Sequence, residues 1–318
     1  MALLPILETE NCFLLLLLSR FNMTEHNVSK IDSSPRQSYF ELVDTVDQLI
    51  SLPTICVKIM GMLNDPNSTA KNIESVLMQD PPLTVQLLRM ANSPFYGLRS
   101  EIDSLARAVS IIGTKRIHDL VVAISAINSF NKLSNGIISI ENFWHHSLYT
   151  GLIANLLGKR ATKLKQDSLF IAGLLHDIGQ LIMFSKRPDD VRIALTLMQD
   201  SSNESDLYVF ERDVMGFDHM QVGAELARRW LFPENLVTCI EYHHTPSLAP
   251  DHHMEVSLVY LANKLSGLAE LNSTHLDDIP PISENVWEIT RLSKEIIEEV
   301  LIEAQEQFES AQFILLTN

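Results

Sequence analysis

The chain has 318 residues, with 24 Lys and Arg against 40 Asp and Glu, a formal charge of −16, and is 46 % apolar. This describes a globular protein long enough to bury a core, not a disordered chain. The acidic balance argues against gripping nucleic acid or anionic lipid as the main task. The absence of GxGxxG and GxxxxGK[ST] leaves no nucleotide cofactor motif.

Residues 1–35 read as a disordered or mis-started N-terminus. The apolar run Cys12 to Leu18 is too short to span a bilayer and has no basic segment before it, as a secretory signal would. Polar residues follow Met23, so Met23 is the expected true start and residues 1–22 an over-extended reading frame. No other segment is expected to enter a membrane. Cys12, Cys56 and Cys239 are far apart and form no CxxC pair. They are expected to act as small hydrophobes in a reducing cytoplasm.

From Tyr39 onward the pattern is helical. Tyr39, Phe40, Leu42, Val43, Val46, Leu49 and Ile50 recur at i, i+3, i+4 and i+7, and Leu52-Pro53 ends the stripe. Short helices follow over Val57–Leu63, then over Ile73, Val76 and Leu77 behind a Ser68 or Thr69 cap, then over Leu83–Ala91 after Asp80-Pro81-Pro82. Asn92-Ser93-Pro94 breaks the chain. Ser104–Ile112 and Thr114–Phe130 are separated by Gly113, and the polar stretch Asn131 to Glu141 is the expected boundary between subdomains 36–138 and 139–310. Beyond it come Phe143–Lys159, Asp167–Phe184, Val191–Gln199, His219–Trp230, Glu234–Tyr242 and Ser257–Leu268. A loop over Asn272–Pro281 leads to a last helix over Ser283–Ser310, which carries Ile289, Leu292, Ile296, Val300, Ala304 and Phe308 on one face. No strand alternation is present.

Histidine is the unusual residue. There are 11, and His145-His146, His176-Asp177, His219 and His243-His244 are spread over the second half. Imidazole binds Zn, Fe, Mn or Ni, and a carboxylate adds the charge that holds a divalent ion. His176 and Asp177 lie in an apolar run, IAGLLHDIGQLIMF, so Asp177 needs a cation, a histidine or hydrogen-bond donors beside it. Neighbours on a helix point about 100° apart, so an ion at both would need other helices to close around it. His146, His219, His243 and His244 can supply the rest. A His/Asp network without metal would also satisfy Asp177. His26, His118, His252, His253 and His275 read as ordinary core or surface residues, and His145 as an exposed neighbour of His146.

LLHDIGQL resembles the HD superfamily of metal-dependent phosphohydrolases, and FWHHSLYTGLIANLLG, GFDHMQVGAELARRWLFP and IEYHHTP resemble the segments carrying its other histidines. DPPLTVQLLRMANSPFYG and AVSIIGTKRIHDLVV resemble the first half of the HDOD family, the HD-related output domain of bacterial signalling proteins. The resemblance covers about residues 36–310. It implies an all-α protein, an N-terminal helical bundle packed against an HD-like helical bundle, that signals through a protein partner. It implies one or two divalent ions on His146, His176, Asp177, His219, His243 and His244, with Asn263 in SLVYLANKLSG where the phosphohydrolases carry Asp. The alternative is a metal-dependent phosphohydrolase, in which Asp177 would be the catalytic residue and Lys264 a candidate phosphate contact. His243-His244 is followed by TPSLAPDHH without Gly-Tyr-Pro, which argues against hydrolysis of cyclic di-GMP.

Overall fold

The computed structural model describes residues 38–47, 54–63, 68–92, 101–130, 139–161, 168–200, 206–279 and 281–316. The expectations for residues 1–35, for Leu52-Pro53 and for most of the Asn131 to Glu141 stretch lie outside them. The described residues are all-α, with no strand. In chain order the helices are α1 Tyr39–Asp47, α2 Thr54–Leu63, α3 Ala70–Leu77, α4 Pro81–Ala91, α5 Leu105–Ile112, α6 Thr114–Phe130, α7 Ile140–Ala161, α8 Leu169–Leu175, α9 Ile178–Lys186 and α10 Pro188–Asp200. They continue as α11 Leu207–Met215, α12 His219–Arg229, α13 Glu234–Tyr242, α14 His253–Glu270, α15 Glu284–Thr290 and α16 Lys294–Leu316.

Local chemistry sets the boundaries. Thr69 caps α3 in a reciprocal box with Asn72, Asp80 caps α4 ahead of Pro81, Ser104 caps α5, and Asp218 caps α12 in a box with Gln221. One apolar core runs through the described residues. In α1 it takes Leu42, Val43 and Val46, while Phe40, expected in the same stripe, is 48 % exposed. Phe40 lies on the side where its carbonyl accepts from Arg229 Nη2 at 3.1 Å; Arg229 also pairs with Asp44 and with Glu225 of its own helix, tying α1 to α12. Cys56 and Cys239 are free and buried, as expected, and burial pushes the Cys56 thiol up to about 11.

Two expected helices are divided. Asp167–Phe184 breaks at His176-Asp177, where Asp177 leaves helical geometry (φ −97°, ψ 11°) before α9 begins. The final helix breaks at Arg291, left-handed at φ 53°, into α15 and α16. On α16, Val300, Ala304 and Phe308 face the core as expected, while Glu298, Glu299 and Glu306 face out. His145 is not exposed: its ring lies 4.3 Å from that of Phe308 and 5.4 Å from that of Tyr149, and Phe308 stacks on Tyr149 at 3.8 Å. This aromatic group holds α16 against α7.

Glycines set two close helix contacts beside the buried histidines. At Gly173 of α8 a Cβ would lie 2.8 Å from the Cα of Gly151 on α7. At Gly179 of α9 it would lie 2.0 Å from the carbonyl oxygen of His219 and 2.7 Å from the backbone nitrogen of Gly223 on α12. The stretch Leu169–Lys186 is apolar enough to span a membrane, but 89 % of it is buried inside the fold, as a core segment would be.

Candidate metal centre

Asp177 is the hub of a buried cluster. Its Oδ1 lies 3.3 Å from Nε2 of His243 and 3.4 Å from Nε2 of His219; its Oδ2 lies 3.2 Å from Nε2 of His176 and 4.0 Å from Nε2 of His146. One ligand atom each from Asp177, His219, His243 and His244 fits within 4.8 Å of the others, and the same holds for His146, His176 and Asp177. The ring nitrogens of His219 and His243 approach to 3.4 Å. Asn263 joins through Oδ1, 3.0 Å from Nε2 of His146. All seven residues expected from the sequence therefore meet in one place, contributed by α7, α12, α14, the α8–α9 break and the end of α13.

The local folding of these elements aims the rings. His176 and His243 follow the last residues of α8 and α13, and the Nδ1–H of each donates to the carbonyl three residues back, Gly173 at 2.7 Å and Ile240 at 2.8 Å. Each bond satisfies a carbonyl that a helix end leaves unpaired. His219 is the first residue of α12; its backbone N–H, also unpaired within the helix, donates to Oε2 of Glu211 at 3.0 Å, and its Nδ1–H donates to the same oxygen at 2.7 Å. His146 meets Glu270 and His244 meets Asp206, through Nδ1 at 3.0 Å and 3.1 Å. Metal-binding histidines are characteristically held in this way, the outer nitrogen fixed by a carboxylate or carbonyl so that the inner one faces the ion.

Charge is unevenly spread. Burial would raise the Asp177 carboxyl, but His176, His243 and His219 hold it well below the usual carboxylate range. Burial would lower His219, but the Glu211 carboxylate, with Asp177, pushes it up to about 9. Burial and neighbouring imidazoles push His243 and His244 well down.

The donors suit a divalent transition ion. His176, His219 and His243 are fully buried, and Asp177 and His146 nearly so. Nε2 of His176 and Oδ1 of Asp177 are buried without a hydrogen-bond partner, an arrangement that costs free energy unless something binds there. Neutral imidazoles with a carboxylate are ligands for Zn, Fe, Mn or Ni. Lys264 places its Nζ 5.0 Å from the Tyr260 ring centre, a cation–π contact. His118 is buried in α6, and His252, His253 and His275 lie at or near the surface, outside the cluster.

No motif in the sequence marks Glu211, Glu270 or Asp206. Glu211 lies on α11, a helix absent from the expected set, although Asp206 before it and Gly216 after it are start and stop residues. A usable signal was the need of each buried imidazole for an outer partner.

Glu211→Gln tests the outer pair. In the metal-free protein a histidine raised from 6.5 to about 9 contributes on the order of 3 kcal/mol of stability. Because the folded value is the higher one, that contribution is complete below about pH 6.5 and is lost as pH rises through about 9. Denaturant unfolding in chelator should find the variant less stable at about pH 6 by the Glu211 share of this, at most about 3 kcal/mol since Asp177 also raises His219, with the gap closing by about pH 10. A gap that does not change with pH would contradict the assignment.

The comparisons with known proteins agree with this architecture. The family model of the HDOD domain matches residues 49–246. An uncharacterized protein of Treponema pallidum (strain Nichols) is 27 % identical over 225 residues, covering 70 % of this chain and 43 % of that protein. The chain thus matches less than half the length of that curated relative. Among solved structures, an HDOD domain protein of unknown function from Geobacter sulfurreducens superposes with a TM-score of 0.70 at 25 % identity, covering 87 % of this chain and 98 % of that one. An inferred phosphohydrolase from Shewanella amazonensis SB2B gives 0.67 at 23 %, covering 85 % and 97 %. An inferred signal transduction protein from Marinobacter aquaeolei VT8 gives 0.65 at 21 %, covering 95 % and 64 %.

Proposed function

The chain belongs to the HDOD domain family, and on that premise we propose that it is a cytoplasmic signal-transduction module that acts through contact with a protein partner, with a divalent metal ion held in its HD-type centre. The observation that carries this reading is the closure of the centre. Asp177 is 3 % exposed and His176, His219 and His243 are 0 % exposed. His244 and Asn263 are half-buried at the edge of the centre, so a phosphoester would have to approach the ion past them, whereas an ion that organises the fold needs no such access.

In this reading the chain's residues bind and orient. Asp177 supplies the anionic charge, and His176, His219, His243 and His244 supply ring nitrogens, His219 on release of its extra proton to solvent. Glu211, Asp206 and the carbonyls of Gly173 and Ile240 fix the ring orientations. The ion itself would offset the Asp177 charge and link helices that are distant in sequence.

Thermal unfolding with and without divalent ions tests this. An ion at 100 times its Kd stabilises the folded state by about 2.7 kcal/mol, or on the order of 4 °C for a chain of this size. The wild type should show that rise, lose it in chelator, and show no Asp177-dependent turnover of bis(p-nitrophenyl) phosphate. Turnover that Asp177→Asn abolishes would replace the reading with a metal-dependent phosphohydrolase.

A further inference from the structure

α1 is the first described helix, yet it packs on α12 and α9, both from the second half of the chain. These two helices begin at the centre: Asp177 immediately precedes α9, and His219 is the first residue of α12. They also meet backbone to backbone around Gly179 and Gly223, so a shift of one is felt by the other. α1 buries Leu42, Val43 and Val46 in the core. It is held at both ends of α12. Beside the start, the Tyr39 ring lies 6.3 Å from that of Phe217, a buried side chain two residues before His219. At the far end, Arg229 pairs with Asp44 and donates to the Phe40 carbonyl at 3.1 Å. A helix of nine residues is marginal in water on its own, so the order of α1 depends on its seat. Short elements held by a few contacts open locally, without global unfolding.

We propose that α1 is a regulatory strap: its seating on α12 and α9 is coupled to the order of Asp177 and His219, so an input that lifts α1 loosens the centre, and an ion that fills the centre tightens α1. The two directions are one coupling seen from either side. The second direction rests on the metal reading above; the first does not. Phe40, Glu41 and Asp44 of α1 are exposed, while Asp177 and His219 are buried, so the strap gives a protein partner a surface from which to reach the centre.

Hydrogen exchange of the full chain, read by mass spectrometry of its peptides, tests both directions. In metal-free protein Val43→Asp, which unseats α1, should speed exchange over residues 176–180 and 217–223 by about tenfold and change α14 by less than about twofold, a coupling within the usual range between sites. The helix α14, which packs chiefly on α7, is the reference, because general loss of packing would speed it equally. Val57→Asp, at an exposed position of α2, should change neither. In the wild type, saturating Zn²⁺ should slow exchange over residues 39–47 by about tenfold, and Val43→Asp should weaken Zn²⁺ binding by a similar factor. Unchanged exchange over 176–180 and 217–223 in Val43→Asp, or a rise matched by α14, would overturn the strap, as would Zn²⁺ binding that leaves residues 39–47 unchanged. A wild type that binds no Zn²⁺ would overturn the metal reading, and the metal-free comparison would still decide the strap. If Val43→Asp fails to fold, Arg229→Ala, which removes the polar hold on α1, should give a smaller shift of the same sign in the same peptides, and no shift would overturn the strap.

Discussion

Gly179→Ala is expected to destabilise the protein by about 3–5 kcal/mol and to abolish metal binding together with the loss of packing. The added Cβ would lie 2.0 Å from the carbonyl oxygen of His219 and 2.7 Å from the backbone nitrogen of Gly223. Both atoms are backbone, so no side chain can rotate away. Either α9 or α12 must move, and one carries the break at Asp177 while the other begins at His219. The carbonyl in the clash belongs to a candidate ligand itself, so relief of the clash displaces the ring that Glu211 orients. A loss of about 3–5 kcal/mol lowers the unfolding midpoint by roughly 4–8 °C at this chain length. Gly61→Ala is the control, because nothing lies within 4 Å of the Cβ it would add on α2. It should leave metal binding unchanged and raise stability by about 0.5–1 kcal/mol through helix propensity. Equal midpoints for Gly179→Ala and the wild type would show that the α9–α12 contact is looser than described.

Asp177→Asn has the largest expected effect on binding. Asp177 reaches toward four imidazoles with its two oxygens. Loss of an outer partner of a metal ligand costs about 10–100-fold in affinity, so loss of the anionic ligand itself should cost more than about 100-fold. Calorimetric titration with Zn²⁺ should lose its tight phase. The substitution is isosteric, so the helices should remain in place. In the metal-free protein, however, it removes the carboxylate that faces the raised imidazole of His219, and breaking a buried pair in this way costs about 3–5 kcal/mol. The Asp177 carboxyl is held below its unfolded value, so its contribution is present at neutral pH and is lost as pH falls through the acid range. The stability difference between wild type and variant should therefore shrink in acid. A variant with wild-type affinity would remove Asp177 from the centre.

Much of this arrangement was legible in the sequence, and the unread parts share a cause. Helix periodicity placed α6, α13 and most of α7, because apolar stripes and caps are local signals. The His176-Asp177 pair was readable because a carboxylate in an apolar run requires a partner. The break between α8 and α9 was not readable: LLHDIGQL carries no proline, and the turn there accompanies a tertiary arrangement in which His176 bonds back to Gly173. The same holds for Arg291, whose left-handed backbone divides a continuous apolar stripe. Glu211 and Glu270 look like surface acids within amphipathic helices, and only their placement beside His219 and His146 separates them from the many solvated glutamates of α16. His145 was misread because its partner Phe308 is far away in sequence.

The most direct test of the central claim is elemental analysis of the purified full chain, wild type beside Asp177→Asn, as isolated and after incubation with Fe²⁺, Mn²⁺ or Zn²⁺ followed by desalting. The account predicts a retained transition ion in the wild type and none in the variant. A wild type that retains no more metal than the variant would make the cluster a hydrogen-bonded His/Asp network and contradict the account.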